Sequence, residues 1–245
     1  MGTGTIYYVS DRNGDDRNEG TSKGHPLRTL AAAEEKELHP GDEIRLECGS
    51  VFYRQALHIS AQGRKDAPII IGSYGEGKKP LIACGGTGLW YQNYGKPLDA
   101  PTHVWHGYVS SAVLLYDCEH IRLEGIEISN GGILRGERYS QGDRLNRTGV
   151  AVIAQNRGTL HCIELSDLYI HDVKGNVYDK HLNNGGIYCS ALQPERENGK
   201  TARFDGLWIH DCVVENCSRW GIAAGYTYTH PFFTTAKLPD DTVKK

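Results

Sequence analysis

The chain has 245 residues, of which 30 are Gly, 14 Tyr and one Met, and its 27 Lys and Arg against 30 Asp and Glu leave a net charge of −3. Gly at about 12%, against a usual share near 7%, suits short strands joined by many tight turns rather than a helical bundle. No basic stripe offers a footprint for nucleic acid, and no apolar run approaches the roughly 18 residues of a membrane span. Met1 to Ile6 lacks a basic segment leading into a long apolar one, so no signal peptide is legible; the protein is either cytoplasmic or secreted with its leader removed.

In chain order, Ile6 to Ser10 reads as a first strand, and a polar loop follows from Asp11 to Lys23. A helix is expected over 29–37. Thr29 can cap it, Ala31, Ala32, Ala33 and Glu34 favour it, and Pro40-Gly41 lies beyond its end. Asp42 to Cys48 alternates polar and apolar residues as a half-buried strand does. Gly49-Ser50 turns the chain, and Val51 to Ile59 alternates again as one strand. Pro68 to Gly72 and Lys79 to Ile82 read as short buried strands. An excursion is expected at 85–108, where Trp90, Tyr91, Tyr94, Trp105, His106 and Tyr108 cluster without strand repeats. Seven cysteines, at 48, 84, 118, 162, 189, 212 and 217, sit mostly in apolar runs without CxxC spacing. They are expected as buried reduced thiols rather than as disulfides or a zinc site.

Internal repeats set the fold. Leu123 to Asn130 resembles Leu165 to Asp172, and Phe204 to Asp211 resembles both, at offsets of 42 and 39. A second family interleaves with it: Ser111 to Tyr116, Gly149 to Ala154, Gly186 to Ala191 and Gly221 to Tyr226, at offsets of 38, 37 and 35. Two short strand motifs per 35–42 residues in fixed order are the mark of a solenoid. The motifs lack helical periodicity, so a parallel β-helix is expected, with aliphatic ladders at 126/168/207 and 128/170/209 and the helix covering its N-terminal end. The expected layout is one domain over 1–245. Residues 1–60 form the cap and first coil, 61–226 the coils, and 227–245 a polar tail from which the solenoid is expected to continue past Lys245.

The front of the chain also resembles right-handed parallel β-helix proteins of the pectate-lyase-like superfamily. The matching segments are Tyr8-Val9-Ser10, Gly20-Thr21-Ser22, Pro26 to Leu30, Pro40 to Ile44 and Ala67 to Gly75. The resemblance implies right-handedness and a carbohydrate ligand. It leaves activity open, because the superfamily holds hydrolases, lyases, epimerases and adhesins.

Connections between the strand families should stack as one wall. They run from Asn130 to Gly149, from Asp172 to Gly186 and from Asp211 to Gly221. Carboxylates, cations and aromatics there suit a sugar-binding groove. Asp179 is the leading candidate for a catalytic carboxylate, with Asp143 and Glu215 as partners from neighbouring connections. Lys180 and His181 would tune Asp179 or serve as a base. Arg138, Arg144, Tyr178, Arg219 and Trp220 are candidate substrate contacts. His171-Asp172 and His210-Asp211 read instead as a turn ladder, with Asp bonding local backbone. The favoured function is a glycoside hydrolase on a polysaccharide or oligosaccharide. A uronate lyase is the first alternative, and a carbohydrate-binding solenoid without catalysis the second. No cofactor is expected for the hydrolase, and calcium only for the lyase.

Overall fold

The computed structural model describes residues 4–93, 106–132, 145–176, 182, 184–195, 198–224 and 243–244. The strands form three parallel sheets that wind around a common core. The first holds β1 (Ile6–Val9), β2 (Glu43–Glu47), β5 (Ile69–Tyr74), β9 (Ile121–Glu124), β12 (Arg157–Ser166), β15 (Lys200–His210) and β18 (Val243–Lys244). The second holds β3 (Val51–Tyr53), β6 (Leu81–Ala83), β10 (Glu127–Ser129), β13 (Tyr169–His171) and β16 (Val213–Glu215). The third holds β4 (Leu57–Ile59), β8 (His106–Tyr116), β11 (Asn146–Ala154), β14 (Gly185–Ala191) and β17 (Ile222–Ala224). The expected excursion contains β7 (Leu89–Asn93), which pairs antiparallel with β8. Trp90 anchors it, donating from Nε1 to Ser111 Oγ at 2.9 Å.

The architecture is a right-handed parallel β-helix. Side chains alternate across each strand, so every sheet sends one ladder inward. The ladders are Ile44, Ile71, Leu123 and Leu165 in the first sheet, Phe52, Ile82, Ile128 and Ile170 in the second, and Leu57, Val113, Val150 and Ile187 in the third. All twelve are fully buried. Each such side chain contributes about 1.5–3 kcal/mol relative to exposure. The last coil, β15-β16-β17, is covered less, with Val213 and Ile222 55% and 51% exposed.

The expected helix is real but shorter. α1 (Leu30–Glu34) is capped by Thr29, which accepts from Ala32 N, and it buries Leu30 and Ala33 against the first coil. The fold corrects three further expectations. Each coil carries three strands, not two. Val51 to Ile59 is split into β3 and β4 by a turn at Arg54, whose φ is +55°. The third copy of the first repeat is out of register: Leu207 pairs with Ile163 and Ile209 with Leu165, so the counterpart of Ile170 is Val214. Asp172 and Asp211 end strands of different sheets and accept from His171 and His210 rather than from backbone, so they form no single ladder, yet Asp117, Asp167, Asp172, Asp211 and Asn216 all take the positive φ of a turn. Asp117 shows why, accepting from the Gln155 and Asn156 backbone N–H groups of the next coil.

All seven cysteines are free thiols, and Cys84, Cys118 and Cys189 are buried. Burial pushes Cys118 and Cys189 up to about 12. A thiol reagent should therefore label the folded protein only at Cys48, Cys162, Cys212 and Cys217. Mass spectrometry checks this, and fast native labelling of Cys118 would contradict the packing. Among the described residues no helix is long and apolar enough to cross a membrane.

Candidate functional site

The residues flanking the inward ladder of the second sheet point outward. One outward ladder runs Tyr53, Ala83, Ser129, His171, Glu215. Its bulky members stand at the ends and its small ones between, so the surface is scooped out over the middle coils. The result is a cleft of about 280 Å³. Its floor is Ala83, Gly85, Ser129, Gly131 and Gly132, with Tyr53 and Arg54 on one side and His171 and Asp172 on the other. Tyr53 and His171 are three inter-strand steps apart, or about 14 Å.

Local chemistry fixes each part. A Cβ on Gly131 would stand 2.7 Å from the Asp172 carbonyl oxygen, so only glycine lets the floor meet the wall. Arg147 of β11 is fully buried and donates from Nη1 to the carbonyls of Gly131 and Gly132 at 3.0 and 2.7 Å. Asn130 ties the end of β10 inward, donating to Thr148 O at 2.9 Å and accepting from Gly86 N at 2.7 Å.

The far wall is a charged chain. His171 Nε2 lies 3.0 Å from Glu127 Oε1, and its Nδ1 lies 2.9 Å from Asp172 Oδ2. With a carboxylate on each ring nitrogen, both nitrogens donate, which is the protonated ring. Burial opposes that charge, but the hydrogen bonds to Asp172 and Glu127 outweigh it and raise the His171 pKa. The His171 hydrogen bond in turn lowers Asp172 and keeps it ionised. Tyr169 stacks on His171 with centroids 4.5 Å apart and donates to Glu215 Oε1 at 2.5 Å, which raises the Tyr169 pKa.

The two shifts define a pH window. Because the folded His171 pKa is raised, its contribution is complete below the ordinary value of 6.5 and is lost as pH climbs through the folded one. Asp172 is lowered, so its contribution is present above 3.8 and is lost as pH falls through its folded value. The Tm gap between the native protein and His171→Gln should thus be widest between the two ordinary values and shrink as pH rises above 6.5 through the folded His171 value. A gap that does not change with pH would remove the charged chain from the stability of this wall.

Of the residues expected at the site, three are described. Glu215 lies in β16 rather than in a connection, one ladder step beyond His171. Arg219 sits over the Trp220 ring at 5.2 Å, in the connection after β16. Asp179, Asp143, Lys180, His181, Arg138, Arg144 and Tyr178 lie outside the described residues. Tyr53, Arg54 and Glu127 carry no signal of their own in the sequence, and His171-Asp172 reads there as a turn rather than a site, since the cleft exists only once the register of the second sheet is known. His210 shows that a His-Asp pair alone marks nothing. It makes the same bonds, to Asp211 and Glu164 at 2.8 and 3.2 Å, on the outside of the first sheet, away from the cleft of the second. Among the described residues no group of three or more His, Cys, Asp or Glu is arranged to hold a metal ion.

The fold and cleft define a parallel β-helix protein with a cleft on the flank of the solenoid, lined by an aromatic ring, an arginine, a histidine and a carboxylate. The chain is similar to a lacto-N-biosidase of Bifidobacterium longum subsp. longum, 39% identical over 258 aligned residues that cover 92% of this chain and 16% of the relative. It is also similar to GH136 lacto-N-biosidase from Eubacterium ramulus, in native and selenomethionine crystal structures. Each is 56% identical with a TM-score of 0.89, covering 96% of this chain and 38% of that one. The chain thus spans well under half the length of these relatives. A rhamnogalacturonan lyase and a pectate lyase align at TM-scores of 0.39 with 13% and 19% identity, too remote to bear on activity. No family model matches the chain.

Proposed function

We propose that this chain carries the catalytic cleft of a glycoside hydrolase with lacto-N-biosidase activity, releasing a disaccharide from an oligosaccharide. The observation that carries this is 56% identity, along 96% of the chain, to a crystal structure of a lacto-N-biosidase, with a sugar-sized cleft on the shared fold. Glycosidic hydrolysis needs two carboxyl groups flanking the scissile bond. Asp172 stands in the cleft wall, ionised by His171. Asp179 follows in the same connection, between β13 and β14, and supplies the second. Asp143, in the connection one coil earlier in sequence, and Glu215, one ladder step beyond His171, are the further candidates. Arg219 and Trp220, stacked on each other in the connection after β16, are the candidate contacts from the last coil.

The test is product analysis on an oligosaccharide ending in lacto-N-biose, with a uronate polymer alongside. The expected result is free disaccharide with one new reducing end per cleavage. An ultraviolet-absorbing unsaturated uronate would mean a lyase. Retention of glycan without any cleavage would mean a binding solenoid.

A further inference from the structure

We infer that Tyr53 and Arg54 form a separate sugar-binding subsite at the end of the cleft opposite Asp172, so that the oligosaccharide lies along the solenoid axis with a unit beyond the cleaved linkage held there. This rests on the glycosidase function proposed above and extends it to the part of the substrate that does not react.

Three observations converge. First, Tyr53 is 72% exposed on the outward ladder, with only Ala83 and Ser129 between it and His171. An exposed ring facing a trough of small residues offers a flat apolar face at the height of a bound ring. Second, Arg54 occupies the turn position that Asp172 and Asn216 hold in later coils, again at positive φ. Asp and Asn suit that conformation because their short side chains bond nearby backbone, whereas Arg gains nothing locally from it. Among the described residues no carboxylate pairs with its guanidinium, although its own backbone N–H is fixed to Ala83 O at 2.8 Å. An unpaired cation on a pinned turn is placed to donate to hydroxyls or to an acetamido carbonyl. Third, Arg54 also lines a second cavity of about 300 Å³, shared with Gln55, Thr87, Gly88 and Leu89. The two cavities therefore meet at Arg54, and the second opens on the side of α1. Coils repeat about every 4.8 Å, a step of the same order as one sugar unit, so successive units can meet successive coils.

The test compares two substrates that share the released disaccharide: an aryl glycoside, which ends at the cleaved bond, and a tetrasaccharide, which continues past it. Tyr53→Ala and Arg54→Ala should each lower kcat/KM for the tetrasaccharide about tenfold more than for the aryl glycoside, chiefly through KM. Tyr53→Trp, which keeps a stacking face, should restore the preference. Equal losses on both substrates, or no loss on either, overturn the subsite. Should the native protein turn over neither substrate, it is the glycosidase assignment that fails. The subsite is then decided by titrating the protein with intact tetrasaccharide and following backbone NMR shifts. Saturable shifts around residue 53 that vanish in Tyr53→Ala support it, and their absence overturns it.

Discussion

Asp179→Asn and Asp172→Asn are each expected to lower kcat on a verified oligosaccharide about 10²–10⁴-fold, the usual scale for losing a positioned acid or base. The two effects should separate in stability. Asp172 bonds His171 and accepts from Asn216, so its replacement also loosens a wall of the cleft. Asp179→Asn should leave Tm nearly unchanged. Because His171 lowers Asp172, the acid limb of the rate profile lies below the ordinary carboxyl value if this group controls it. Full activity in Asp179→Asn would take that residue out of the chemistry. A larger loss from Glu215→Gln than from Asp172→Asn would pass the second role to Glu215.

The largest effect on stability is expected at the inward ladders. Ile170→Ala should cost about 2–5 kcal/mol, the usual penalty for truncating a sealed aliphatic side chain. Ile170 is fully buried between Ile128 and Val214, where the neighbouring coils cannot close the void without breaking register. Val214→Ala, one coil on, removes less volume from a position only partly covered, and should cost about 1 kcal/mol or less. Denaturant melts of the two variants check the order. A greater loss at Val214 would mean that the stack is built differently from this description.

The solenoid was legible because its ladders recur. Ile128 and Ile170 were matched from the sequence and are partners in the fold. The third copy misled for a physical reason. Leu168 to Asp172 and Leu207 to Asp211 both end in Ile-His-Asp, yet His171 closes a strand of the second sheet and His210 one of the first. Both corners need an Asp that tolerates positive φ, so the same short text serves two different turns. Lys79 to Ile82 reads as a strand and Ile128 and Ile170 as partners, but strands as short as Leu81–Ala83 and Glu127–Ser129 show no period that separates a second sheet from the first. With that sheet unseen, Tyr53, Ala83, Ser129 and His171 had no reason to be considered together. The charged residues of the connections could be named from composition, but their mutual positions depend on loops of unequal length that carry no repeat.

The alternation within the second sheet has an evolutionary side. Phe52, Ile82, Ile128 and Ile170 hold the coils together, while their neighbours Tyr53, Ala83, Ser129 and His171 line the cleft. Recognition and cohesion are thus written in adjacent letters that point in opposite directions. Selection can retune which glycan is accepted by exchanging one letter per coil, at little risk to the scaffold. Because each coil contributes its own letter, preference can be altered unit by unit along the sugar chain, much as a row of independent switches is reset.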